Sequence, residues 1–146
     1  MKIAIIGAGN MGGAIARGLT HGTKITSANI SVSDINQKNL DAIKTFDSAI
    51  TVNTSNTEVI KGADIILIAV KPWLVESVAN DIKSELDYEK QIVVSIAAGV
   101  TFAQLAELFS SEARLFRIIP NTAIDVLQSF STVSSYNAGK EDEDLI

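Results

Sequence analysis

The sequence predicts an α/β domain of the Rossmann type, a doubly wound, mostly parallel sheet with helices on both faces. Three observations carry this. Short apolar, β-branched runs alternate with stretches of helical periodicity along the whole chain. The runs are almost continuously hydrophobic, as strands buried on both faces must be. The connections are short, so each crossover passes over the sheet right-handedly and places a helix against one face or the other.

The elements follow in order. Residues 2–6 (KIAII) form the first expected strand, and residues 10–20 the first helix, with Met11, Ala14, Ile15 and Leu19 on one side. His21, beside Gly22, is expected at the C-terminal end of that helix. Residues 29–33 (NISVS) are a second strand, and residues 37–46 a helix carrying Leu40, Ile43 and Phe46 at helical spacing. Residues 50–52 make a brief third strand. Ser55 and Glu58 have the spacing of a capping box, in which each side chain satisfies the other's backbone donor. Residues 64–70 (DIILIAV) are a fourth, buried strand. Pro72 then occupies a first-turn position, and Trp73 is expected to pack at the helix start. Val75, Val78, Ala79, Ile82 and Leu86 mark the cleanest amphipathic helix. Residues 91–96 are a fifth strand. Thr101 with Gln104 forms a second capping box, ahead of Phe102, Leu105 and Phe109. Residues 114–119 are a sixth strand ended by Pro120, residues 130–135 a seventh, and the acidic stretch 140–146 reads as a helix start.

Bulk properties narrow the function. A length of 146 residues fits one domain, 1–146, and 47% hydrophobic residues suffice for a full core. A net charge of −5 argues against nucleic acid, because phosphate backbones need clustered Lys and Arg. With no cysteine and a single histidine, thiolate catalysis and cysteine or multi-histidine metal sites are excluded from this chain. No apolar run approaches the ~20 residues that span a bilayer, so no membrane partner and a cytoplasmic location are expected.

Gly7, Ala8, Gly9, Asn10, Met11 and Gly12 fit G-x-G-x-x-G. That motif alone is weak. Here it follows a strand, opens a helix, and is followed about 20 residues on by an acid at the end of the next strand, Asp34. Gly7 permits the tight turn, Gly9 lets the backbone approach a pyrophosphate, and Gly12 allows close helix–strand packing. The helix start then offers free N–H groups and partial positive charge to phosphate. A dinucleotide cofactor, NADP or NAD, is the expected ligand. Asp34 suits the ribose hydroxyls of NAD and also the N-cap of the 37–46 helix. Ser33 could donate to the 2′-phosphate of NADP, and Lys38 could reach one. The choice of cofactor stays open at this level.

Four segments in order, residues 6–19 (IGAGNMGGAIARGL), 69–72 (AVKP), 95–100 (SIAAGV) and 117–122 (RIIPNT), together resemble the nucleotide-binding domain of pyrroline-5-carboxylate reductases. The resemblance spans essentially the whole chain. It implies that Ala69, Val70, Lys71 and Pro72 border the nicotinamide ribose. It also implies that Ala97 lies by the nicotinamide ring and that Asn56 lies near adenine. Asn121 and Thr122 would turn donors toward nicotinamide and substrate. Lys71 could bond the cofactor or steer an anionic substrate. The implied reaction is reduction of the C=N bond of 1-pyrroline-5-carboxylate to proline, by a homo-oligomeric enzyme. The sequence departs from the family at Ile119, where methionine is expected, at Ala123, where proline is expected, and over residues 124–128, where a glycine-containing turn is expected.

The family also carries a following helical domain with the substrate-carboxylate contacts and the dimer interface. These 146 residues do not include one, so by themselves they are expected to bind cofactor but turn over little substrate. Two other readings compete. One is a non-catalytic NAD(P)-binding module. The other is an oxidoreductase resembling β-hydroxyacid dehydrogenases, which share the glycine turn but lack the Ala-Val-Lys-Pro segment.

Overall fold

The structure is a computed structural model that describes residues 1–121, 123–124 and 128–146. Seven strands form one sheet: β1 (Ile3–Ile6), β2 (Ile30–Ser33), β3 (Thr51–Asn53), β4 (Ile65–Ile68), β5 (Ile92–Ser95), β6 (Arg114–Ile119) and β7 (Thr132–Tyr136). Their order is β3-β2-β1-β4-β5-β6-β7. The first six are parallel, and β7 runs antiparallel along the β6 edge. The helices are α1 (Asn10–Thr20), α2 (Gln37–Phe46), α3 (Asn56–Val59), α4 (Val75–Ile82), α5 (Phe102–Leu108) and α6 (Lys140–Leu145). The expected doubly wound fold is the observed one.

The alternation within each strand explains the two-faced core. Ala4, Ile6, Ile66, Ile68, Val93 and Leu115 point to one side, where they meet Val75, Val78, Ala79 and Ile82 of α4 and Leu105 of α5. Ile3, Ile5, Ile30, Val32, Ile65, Leu67 and Phe116 point to the other, under Ala16 of α1 and Leu40 and Ile43 of α2. Fully buried isoleucines such as Ile5 and Ile66 are each worth roughly 1.5–3 kcal/mol by burial.

Local expectations fare unevenly. Thr101 and Gln104 close a full capping box, with Gln104 N–H on Thr101 Oγ1 at 3.3 Å and Thr101 N–H on Gln104 Oε1 at 2.8 Å. Ser55 and Glu58 make only half of one. Glu58 N–H donates to Ser55 Oγ, but Ser55 N–H is taken by Asn53 Oδ1, and the Glu58 carboxylate pairs instead with Lys61. Helix α4 stops at Ile82 rather than reaching Leu86. Glu85 N–H bonds Ile82 O three residues back, which tightens the last turn, and Leu86 packs on the core from beyond the helix. The seventh strand begins at Thr132, leaving Phe130 outside it and exposed. His21 caps α1 as expected and sets its ring edge-on to Phe46.

One buried polar side chain ties the layers together. Gln91, just before β5, donates from Nε2 to Ile60 O and Ala63 O, both at 2.9 Å, and accepts Asp87 N–H on Oε1. Gln91→Leu would leave two buried carbonyls without this donor, at a cost of about 1–3 kcal/mol. The urea midpoint is expected to fall accordingly, and an unchanged midpoint would show that the bridge carries no stability.

Candidate functional site

The register of the parallel strands fixes the site. Asn53, Ser33, Ile6, Ile68, Ser95 and Arg117 pair across β3, β2, β1, β4, β5 and β6, so the first five strands end at one level and β6 runs two residues past it. Each of the four family-like segments begins at this level or one residue past it, at Ile6, Ala69, Ser95 and Arg117. Between β1 and β4 the strand order reverses, which is where ligands of doubly wound sheets settle. There the turn after β1 lies against the segment after β4, with Ala69 N–H on Ile6 O at 2.8 Å.

The three motif glycines do different things. Gly7 has φ +101°, a left-handed conformation, and a Cβ there would come within 2.8 Å of Ala69 O. Its N–H bonds Ser33 O at 2.7 Å, which joins the turn to β2. A Cβ on Gly12 would overlap Gly7 O and press on the Ala69 methyl. Gly9, at φ −67° and ψ −164°, lies in extended backbone that any residue can adopt, and a Cβ there would meet nothing within 4 Å. Its missing side chain therefore leaves open space at the mouth of the turn. That cradle fits a pyrophosphate. Gly13 N–H makes the first helical bond, to Gly9 O, so the N–H groups of Asn10, Met11 and Gly12 have no intrahelical acceptor.

On the β2 side, Asp34 is anchored by three donors. Its Oδ2 accepts Ala8 N–H at 2.7 Å and Asn39 Nδ2 at 3.1 Å, and its Oδ1 accepts Asn36 N–H at 2.7 Å. It does not cap α2. Asn36 does, through its side chain to Lys38 N–H, because the Asp34 carboxylate is drawn to the glycine turn. Ser33 is completely buried and donates to Asn56 Oδ1 at 2.7 Å, and Asn56 Nδ2 donates on to Asp81 Oδ2 at 2.9 Å. The Ser33 hydroxyl is thus turned inward, away from any 2′-phosphate. Asn39, Asp81 and the exposed Ile35 also border this side, outside the motif residues. Of these, only Ile35, a lone apolar residue in a polar loop, carries a readable signal in the sequence.

On the other side of the switch point, Ala69 and Val70 pack against the glycine turn and Lys71 is exposed. Pro72 begins a single 3-10 turn, Pro72–Leu74. Trp73 does not pack there as expected. It is 75% exposed, because this turn carries its ring outward while Val75 takes the buried position. Ala97 is buried in the α4–α5 core, and Ala98 and Gly99 are exposed beyond it. Asn121 turns inward on its own loop, accepting Ala123 N–H and donating to Phe130 O, so its side chain is not extended toward a nicotinamide. Thr122 lies outside the described residues, as do residues 125–127.

The resolved pKa displacements sit at the opposite edge. A hydrogen bond from Ser27 lowers Asp47, and the Lys90 ammonium lowers Asp87 and is itself raised by it. Burial pushes the Tyr88 phenol up. Two concavities also lie away from the strand ends. One of about 530 Å³ is lined by Tyr88 and Arg114, and one of about 360 Å³ lies between Leu19 and Ile118. The strand-end site is an open shelf, as suits an extended ligand laid across several strands.

A doubly wound sheet with a glycine turn at its switch point defines the class, a dinucleotide-binding domain of an oxidoreductase. More particularly, residues 2–99 match the family described as NADP oxidoreductase, coenzyme F420-dependent, and the chain belongs to it. It is 36% identical to pyrroline-5-carboxylate reductase 3 of Danio rerio over 147 residues, covering all of this chain and 50% of that protein. It is 35% identical to pyrroline-5-carboxylate reductase of Methanosarcina acetivorans, covering 97% of this chain and 52% of that one. A crystal structure of Plasmodium falciparum pyrroline carboxylate reductase with NADP bound superimposes with a TM-score of 0.86 at 27% identity, covering 99% of this chain and 52% of that one. The chain therefore spans about half the length of the relatives it matches. No helix among the described residues is long and apolar enough to cross a membrane.

Proposed function

We propose that this chain is the cofactor-binding portion of a pyrroline-5-carboxylate reductase, using NADPH or NADH to reduce 1-pyrroline-5-carboxylate to proline. The observation that carries it is that the four family-like segments begin at one level of the sheet, at Ile6, Ala69, Ser95 and Arg117, beside a glycine turn with open space in front of Gly9. In this reading the N–H groups of Asn10, Met11 and Gly12 hold the pyrophosphate, with Gly7, Ala8 and Gly9 shaping the turn. Ser33, Asp34 and Asn56 form the adenosine side. Ala69, Val70, Lys71, Pro72 and Ala97 form the nicotinamide side, and Asn121 would join it by exchanging its bonds to Ala123 and Phe130. A reduced nicotinamide bound there would supply hydride to the imine carbon, while the protein supplies orientation and electrostatics.

Lys71 is the one cation in the 69–72 segment and is solvent-exposed. It suits the carboxylate of the substrate or the phosphates of the cofactor. A cytoplasmic, homo-oligomeric enzyme acting on small molecules rather than nucleic acid belongs to the same proposal, and the acidic composition supports the last point.

Titration with NADH and NADPH, followed by nicotinamide fluorescence, tests the reading. Saturable binding of at least one is expected, and binding of neither would overturn it. Lys71→Ala is expected to leave the unfolding midpoint unchanged. It should weaken an anionic ligand by about twofold to fivefold, the worth of one solvated charge contact. No effect on cofactor or substrate affinity would remove Lys71 from the site.

A further inference from the structure

We propose that this chain selects NADH over NADPH and that Asp34 makes the selection. The inference rests on the dinucleotide reading of the strand edge, and four observations at the end of β2 lead to it.

First, the carboxylate is fixed. Three donors from three places, Ala8 N–H, Asn36 N–H and Asn39 Nδ2, hold both of its oxygens. One of those donors belongs to the glycine turn itself, so the carboxylate and the phosphate cradle move as one body. A cofactor whose pyrophosphate rests on the start of α1 must lay its adenosine ribose across the end of β2. A ribose 2′-hydroxyl there donates to Asp34. A 2′-phosphate brings like charge against a carboxylate that cannot swing away.

Second, the groups that could answer a 2′-phosphate are committed elsewhere. The Ser33 hydroxyl is fully buried and bonded to Asn56, whose amide in turn serves Asp81. The Asn36 side chain is occupied as the cap of α2. The chain from Ser33 through Asn56 ends on a second carboxylate, Asp81.

Third, the cation that would favour the phosphate is weak. No arginine lies between Arg17 and Arg114, so the β2–α2 loop has no planar two-pronged donor of the kind that grips phosphate. Lys38 is the only positive residue between Lys24 and Lys44, and it stands in solvent on the first turn of α2.

Fourth, Ile35 is 91% exposed directly beside the anchored carboxylate. An aliphatic side chain held in water at that position is a ready shelf for the face of an adenine ring. It places the adenosine where Asp34 meets the ribose. Likeness to a relative crystallised with NADP therefore does not extend to the choice between the two cofactors.

The test is a fluorescence titration of the 146-residue protein with NADH and with NADPH, repeated by competition with ADP-ribose and its 2′-phosphate to remove any nicotinamide contribution. NADH is expected to bind at least about tenfold more tightly, with the same order for the two competitors. Asp34→Asn keeps the size and one acceptor while removing the charge, and should narrow that ratio by about fivefold or more, chiefly by tightening NADPH. If that variant does not fold, the unaltered protein still decides. The gap should shrink as ionic strength rises from about 0.02 to about 0.5 M, because screening weakens the repulsion. NADPH binding as tightly as NADH, or a gap indifferent to both salt and the loss of charge, overturns the inference alone. Binding of neither cofactor overturns the dinucleotide reading, and this inference with it.

Discussion

Gly12→Ala is expected to be strongly destabilising although it adds a single methyl group. The added Cβ would overlap the Gly7 carbonyl oxygen and come within 3.0 Å of the Ala69 Cβ. Neither neighbour can yield cheaply. Gly7 sits in a left-handed turn whose N–H is bonded to Ser33, and Ala69 is bonded to Ile6. Relief requires α1 to lift from the sheet, which would draw Ala16, Ile15 and Leu19 away from the core they help form. Overpacking ordinarily costs about 1–3 kcal/mol, and a clash between backbone and backbone belongs at or above the top of that range. Against a total of about 5–15 kcal/mol for a domain, that is a large share. Urea denaturation followed by circular dichroism measures it. Stability within about 0.5 kcal/mol of the unaltered protein would show that α1 does not approach β1 this closely. Gly13→Ala is the internal comparison. Its Cβ would meet Ala8 O at 3.2 Å and the end of a flexible arginine side chain, so a far smaller loss is expected.

The parts of this architecture that the sequence makes legible are those set by short-range pattern. Runs such as IILI in β4 and IVVS in β5 are apolar on both faces, which only a sheet covered on both sides accommodates, and all four residues of each are buried. The turn at Gly7 was legible for the same reason, since three glycines at that spacing serve one geometry. What stayed hidden depends on partners distant in sequence. Asp34 and Asn36 are both sound cap residues ahead of α2. The choice falls to Asn36 only because Ala8, 26 residues earlier, claims the Asp34 carboxylate. The half-made box at Ser55 has a nearer cause, in that Asn53 reaches its N–H before Glu58 can. Trp73 shows the limit of reasoning from hydrophobicity alone. The turn after Pro72 gives the one inward position to Val75, and the ring is left in solvent.

Gly9→Val should have the opposite signature to Gly12→Ala. The backbone at Gly9 is extended with a negative φ, and no atom lies within 4 Å of the position a Cβ would take. The folded protein therefore has room at the Cβ position, and stability should fall by no more than about 1 kcal/mol, the worth of a poorer N-cap residue. The space it would fill is the mouth of the turn, in front of the N–H groups at the start of α1. A branched side chain there would hold a pyrophosphate away from those donors. The expected loss in dinucleotide affinity is about a hundredfold or more, equivalent to roughly 2.7 kcal/mol. The two glycines thus separate what the motif does for the fold from what it does for a ligand. One change should remove stability through a clash inside the protein, and the other should remove binding from a protein that folds normally. Retention of full affinity in Gly9→Val, with an intact fold, would mean that the open space in front of Gly9 is not where a dinucleotide lies.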